Sequence, residues 1–320
     1  MLDGLDRSVE ILRARFFTAP QHPPGHMDWI IASKIFLAFG LLLLASRADW
    51  KTRETSDAYW IILGVAGMAL LAAQIYLDAE DPAYYLILFP IAVLFLDIFW
   101  DRKGVLEDGV NLAPLLLYVA AFATLAWLVL EHHGDLYLWK LMLVPIMFFL
   151  FILLYQFDLI KGGADAKALI ALAIMFPTYP QGDGFPLIAL PTEMSDFFLP
   201  FPLLILFNAA LLTLAVPLAM LALNLVRRDL RFPAMLFGYR MSLDDAQNRF
   251  VWPMERIVDG ERKMNYFPRS SDDAADELQE LREAGADAVW VTPKVPFLIP
   301  ITISVLVSVF IGNPFFLLFQ

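Results

Sequence analysis

The chain has no cysteine among its 320 residues, which excludes disulfides, thiolate catalysis and cysteine zinc sites together. It is also short of charge. Asp, Glu, Lys and Arg make up 18% of it, while 59% is hydrophobic and 27 residues are Phe. Soluble domains carry about 25% charged residues, so this composition points to a polytopic membrane protein. Histidine is scarce, with His22, His26, His132 and His133 the full set. The charge that is present is mostly acidic, with a net value of -11, and this sets nucleic acid aside as a partner.

Crossing the hydrocarbon of a bilayer takes roughly 20 apolar residues in a helix. Windows of that kind run from Trp29 to Ser46, Tyr59 to Leu77, Ala83 to Trp100, Leu112 to Leu130, Leu138 to Tyr155, Phe197 to Val226 and Val295 to Phe319. An eighth, Leu159 to Pro177, reaches spanning length only by including the charged stretch "KGGADAK". The expected fold class is an all-α polytopic membrane protein of about eight transmembrane helices, with a small α/β cytoplasmic insert before the last.

Three connections contain no Lys or Arg at all: Asp78 to Pro82, Glu131 to Tyr137 and Thr178 to Asp196. The connections that alternate with them carry Arg47, Lys51 and Arg53, then Arg102 and Lys103, then Lys161 and Lys167. Basic loops stay in the cytoplasm. This asymmetry predicts a protein integral to the cell membrane, with Asp49 and Asp165 at its cytoplasmic face and both termini outside. Residues 1–28 form an N-terminal segment in which Leu5, Val9, Leu12 and Phe16 recur at helical spacing, as in an interfacial helix. No cleavable signal peptide is evident, because the chain starts polar and its first long apolar run is a full span.

Residues 29–226 form the expected membrane core, 227–294 the insert and 295–320 the C-terminal helix. The insert holds eleven Lys or Arg with matching acid. Its "SSDDAADELQELREAGAD" reads as a capped amphipathic helix ended by Gly285, and "AVWVTP" as a short strand.

All four histidines fall on the outer side of this topology, so catalysis at the cytoplasmic face is left to carboxylates. Asp49 and Asp165 sit at equivalent depths, at the cytoplasmic ends of the first and sixth helices. Ionisable groups at membrane depth are costly unless they face a protein interior or a wet cavity. Gly162 and Gly163 let the backbone bend or approach a neighbour closely just before Asp165. Two carboxylates sharing one proton suit an aspartyl protease: the ionised one activates water and the protonated one polarises the scissile carbonyl. Other readings stand beside this one. Asp49 alone reads as an interfacial residue and Asp165 alone as a helix N-cap. Asp158 rivals Asp165, Asp97 and Asp101 read as interfacial charges or partners of Arg102 and Lys103, and Lys34 reads as snorkelling outward.

"DWKTRETSDAYW", Asp49 to Trp60, resembles the segment after the first helix of type IV prepilin peptidases. "GGADAKAL", Gly162 to Leu169, resembles their second, GxGD-type motif in the form seen among archaeal members. The run "WVTPKVPFLIPITISVLVSVFIGNPFF" is similar to the C-terminal region of archaeal prepilin and preflagellin peptidases. The resemblance implies a membrane aspartyl endopeptidase that removes short basic class III signal peptides from pilin or archaellin precursors. It implies Asp49 and Asp165 as the catalytic pair, Gly162 and Gly163 as motif glycines, and Lys51 and Lys167 as basic neighbours. Ala164 stands where the motif's second glycine falls under strict alignment.

With no cysteine and no glycine-rich cofactor loop, no cofactor or methyltransferase activity is expected. The expected partners are precursors with basic leaders, and membrane lipid. Asp244, Asp245, Asp272 and Asp273 in the insert offer acidic surface for such a leader, with solvation the plain reading. Two other classes remain open. A presenilin or signal-peptide-peptidase-like protease would carry tyrosine before its first aspartate, where this chain has Ala48. A carboxylate-coupled secondary transporter would place its carboxylates near the midplane and show repeats.

Overall fold

The computed structural model describes residues 29–78, 80–100, 110–182, 185–188, 195–266 and 274–314. Every apolar window of the sequence becomes helical, with altered ends. The longer helices are α1 (Trp29–Thr52), α2 (Ala58–Leu77), α3 (Leu88–Asp97), α4 (Leu112–His132), α5 (Leu136–Gln156), α6 (Gly163–Met175), α7 (Phe201–Thr213) and α8 (Ala215–Arg227). Two more, α9 (Ala274–Glu283) and α10 (Leu298–Leu306), follow the first strands. Helices α1, α2, α4, α5 and the joined unit 201–227 are long and apolar enough to cross a membrane. The fold is thus that of a polytopic membrane protein with a small sheet region near its C-terminus.

Several windows are corrected. The third begins as a 3-10 turn, Pro82–Ile87, initiated by the Asp81 side chain, which accepts from the Ala83 amide. The seventh is two helices, because Pro217 lacks an amide proton and crowds the carbonyl one turn earlier, breaking the run at Leu214. The last is shorter than expected. After α10 it loosens into one π turn, Val307–Ile311, and stops at Gly312, whose φ of +92° ends the helix.

The sixth window does not reach spanning length. Helix α6 has 13 residues, about 20 Å at 1.5 Å per residue, and it stands at the centre of the bundle. It packs on α1, α2, α5, α7 and α10, and every residue from Ala168 to Phe176 is buried. Helix α4, by contrast, buries only Ala121 and Leu128. Its remaining apolar surface suits lipid.

Small residues let α2 approach closely. A Cβ on Gly67 would come within 3.1 Å of the Met175 amide nitrogen, and one on Gly64 would collide with the Phe95 ring. Buried polar pairs join the other helices, as is usual where apolar side chains face lipid and protein alike. The Ser46 and Thr302 hydroxyls hydrogen-bond at 2.7 Å, linking α1 to α10. Asn208 Nδ2 donates to Ser308 Oγ at 2.8 Å.

Lys34 does not snorkel outward. It is 5% exposed and its Nζ donates to Gln74 Oε1 at 2.6 Å, because α2 offers it an amide partner inside the bundle.

Between α8 and α10 lies a soluble lobe. A three-stranded antiparallel sheet has the order β1 (Tyr239–Ser242), β5 (Ala288–Pro293), β2 (Val251–Pro253). Its register pairs Tyr239 with Val291 and Val251 with Pro293. Helix α9 lays Leu278 and Leu281 against Val289, Val291 and Leu243, and Gly285 follows it at a φ of +78°. A hairpin of β3 (Glu255–Val258) and β4 (Glu261–Met264) turns at Asp259 and Gly260, both with positive φ. The expected N-terminal interfacial helix, His22, His26, Asp101, Arg102, Lys103, Asp272 and Asp273 all lie outside the described residues.

Candidate active site

Asp49 stands in the last turn of α1. The helix ends because Arg53 turns left-handed at a φ of +60° and returns its amide to the Asp49 carbonyl at 2.9 Å, which caps an otherwise open carbonyl. The Thr52 hydroxyl donates to the Ala48 carbonyl at 3.0 Å and tightens the same turn. Lys51 is exposed on the outside of this turn. It makes no ion pair among the described residues.

Arg53 connects this turn to the soluble lobe. Its Nη2 donates to the Lys294 carbonyl, and its guanidinium lies over the Phe250 ring at 5.0 Å and the Trp50 ring at 5.9 Å. Burial and the nearby Arg53 charge hold the Lys294 amine below its usual value. Arg53 is also the cation whose charge acts on Asp49.

Asp165 lies in the first turn of α6 but is not its N-cap. That position belongs to Gly162, in extended conformation, with Gly163 the first helical residue. The carboxylate therefore hangs over the helix start, where unpaired amides favour negative charge. Neither glycine has positive φ, and no backbone is unwound within the helix. Gly162 is needed for space instead, because a Cβ there would run into Asp165 Oδ2. Gly163 faces Tyr155, whose hydroxyl would stand 3.5 Å from an added Cβ. Ala164 packs against the edge of the core.

Lys167 faces away from Asp165. Its Nζ pairs with Asp57 Oδ1 at 2.6 Å and sits 5.1 Å from the centre of the Phe99 ring, so it joins the starts of α6 and α2. Asp158 is exposed, with a φ of +56° after α5. Asp165 instead feels the charge of Asp49, so these two carboxyls share one end of the bundle. Both are partly exposed, and neither carboxylate is tied up by a hydrogen bond among the described residues. This leaves oxygens free for water.

Sequence reasoning missed Tyr155, Phe250, Asp57 and Lys294 as neighbours of this site. Phe250 and Lys294 carry no local signal, being far from Arg53 in the chain. Asp57 lies within the first motif and was readable as a partner for a basic residue.

Residues 230–313 match the family described as Archaeal Peptidase A24 C-terminus Type II. A stretch of 160 residues is 30% identical to the preflagellin peptidase of Methanococcus maripaludis, and a stretch of that length is 28% identical to the preflagellin peptidase of Methanococcus voltae. Each match takes in 48% of this chain and 64% of the relative, a little under two thirds of its length. The preflagellin peptidase of Methanocaldococcus jannaschii is 24% identical over 230 residues, 70% of this chain and 92% of that protein. The C-terminal region of the chain is thus similar to the archaeal A24 peptidase family, and longer stretches of it are similar to preflagellin peptidases.

Proposed function

We propose that the chain is a membrane aspartyl endopeptidase that removes short basic leaders from preflagellin or pilin precursors, with Asp49 and Asp165 as its catalytic carboxyls. The observation that supports this reading is where the two residues stand: Asp49 in the last turn of α1 and Asp165 in the first turn of α6, on helices that pack together, with the Asp49 charge acting on Asp165. The preflagellin peptidases to which the chain is similar support the substrate class.

In this reaction the ionised carboxylate takes a proton from water as the oxygen attacks the scissile carbonyl. The protonated partner donates to the carbonyl oxygen, giving a neutral tetrahedral diol. Collapse returns the carbonyl, passes a proton to the departing amine, and leaves one proton on the pair. No cofactor takes part. The site faces the cytoplasm in this proposal, because the connections at its end carry Arg47, Lys51, Lys161 and Lys167. A basic leader suits the carboxylates and the acidic surface of the lobe at Asp244 and Asp245.

The test is co-expression with a preflagellin carrying its basic leader, scored by gel shift, for wild type, Asp49→Asn and Asp165→Asn. Asparagine keeps size and polarity but not the proton transfer. Wild type should trim the precursor, and each variant should leave it whole while accumulating normally in the membrane. Normal cutting by both variants would overturn the assignment.

A further inference from the structure

At the point where the chain leaves α8 for the lobe, four guanidiniums surround one cleft of about 400 Å³. Arg228, Arg231, Arg240 and Arg262 line it together with the acids Asp229 and Glu255. Four cations against two anions leave an excess of two positive charges, in a chain whose net charge is -11. Such a local reversal of sign is costly unless an anion completes it.

The cleft is rigidly built on one side. Glu255 is 4% exposed, and its carboxylate accepts from the Trp290 amide at 3.0 Å, from Arg262 and, at 3.5 Å, from Arg231. Arg262 also donates to the Ala288 carbonyl at 2.5 Å. These contacts hold two guanidiniums in place and use their charge only in part.

The other side is open. Arg228 is left-handed at a φ of +62° just past α8, and Arg240 stands opposite Trp290 in the β1–β5 register. Both are exposed, and neither pairs with a carboxylate among the described residues. Asn224 fixes the intervening turn, donating to the Met235 and Gly238 carbonyls at 3.0 and 2.7 Å.

We propose that this cleft binds a phosphate group. Planar guanidinium forks match the oxygens of a phosphate in pairs, and such a group would supply the counter-charge that the two arginines without carboxylate partners lack. The surroundings favour the headgroup of an anionic membrane lipid as its carrier over phosphate from solution. Leu230 lines the cleft, and Val226 and Phe232 nearby are 83% and 78% exposed. Side chains of this kind, clustered where a membrane helix ends, belong against acyl chains rather than water. A bound headgroup would tie the lobe to the bilayer at a second place, apart from its Arg53 contact.

The experiment uses the full chain purified in a neutral detergent. Native mass spectrometry follows retention of phosphatidylglycerol against phosphatidylcholine, and calorimetry follows inorganic phosphate. Wild type is compared with Arg228→Gln/Arg240→Gln and with Arg249→Gln, an exposed arginine outside the cleft. Wild type should retain phosphatidylglycerol selectively, and the double variant should bind it on the order of tenfold more weakly or worse. The Arg249→Gln protein should match wild type.

Inorganic phosphate binding that the double variant loses, without preference between the lipids, would support the phosphate site with solution as its source. Equal binding by wild type and double variant, or binding of neither ligand by wild type, would overturn the proposal. Should the double variant accumulate poorly, Arg240→Gln alone serves the same comparison, because Arg240 is exposed on an edge strand.

Discussion

A Cβ placed on Gly162 would collide with Oδ2 of Asp165 and stand 3.0 Å from its Cγ. The glycine keeps empty the space into which the carboxylate folds. On the proposed function, Gly162→Ala should turn Asp165 away and lower precursor processing about 10²-fold, the usual scale for a misplaced catalytic group. Gly163→Ala meets only the Tyr155 hydroxyl, at 3.5 Å, and should process nearly as wild type. Gel-shift rates for the two alanine variants make the comparison, and equal losses would remove the steric explanation.

Arg53 makes a double contact that lysine cannot copy, since its planar guanidinium donates to the Lys294 carbonyl while it stands over the Phe250 ring. Arg53→Lys should loosen the lobe from the end of α1. The expected cost is on the order of 2 kcal/mol from one charge-assisted hydrogen bond and one cation–π contact. Thermal unfolding in detergent and faster limited proteolysis of the lobe are the readouts.

The Lys167–Asp57 pair is short at 2.6 Å but open to solvent, with side-chain exposures of 26% and 49%. Exposed pairs contribute little. Asp57→Asn should change stability by less than about 1 kcal/mol and leave processing within a few-fold of wild type. A severe loss of processing on this substitution would mean that Lys167 must be anchored for the chemistry.

At the opposite end of the bundle, burial and then the charges of Asp135 and Asp78 push Glu80 above its ordinary value. The folded chain binds this proton more tightly than the unfolded one, so the contribution is present at low pH and is lost as pH rises through the raised value. Glu80→Gln should raise the Tm at neutral pH, with a gain that fades below pH 4.5, the ordinary glutamate value. A gain independent of pH would exclude this cause.

The membrane helices were readable because apolar runs are long and turns between them short. What could not be read was which way a side chain faces when its partner lies on another helix. Lys34 looked like an outward snorkel, since nothing near it in the chain announces Gln74 on α2. The helix break at Leu214 follows from Pro217, which was visible. So was the Asp259–Gly260 hairpin turn, a strong local signal that the charged surroundings obscured. Strands β1 and β2 are four and three residues long, too short for alternation to stand out. For the candidate site, the absence of cysteine and the placement of histidine narrowed the choice to carboxylates. The reason for Gly162 was half legible: a close approach was foreseen, but the group that approaches is the carboxylate three residues on.

Helix α6 also has a mechanical consequence. Its far end abuts Gly67 so closely that the Met175 amide nitrogen lies 3.1 Å from where a Cβ would be, about 15 Å along the axis from Asp165. With neighbours on every side it is a strut laid along α2, held against it at Lys167 near one end and at Gly67 near the other. A bulkier residue at position 67 would part the two helices at that end, and the tilt would surface at the other end as a carboxylate out of line with Asp49.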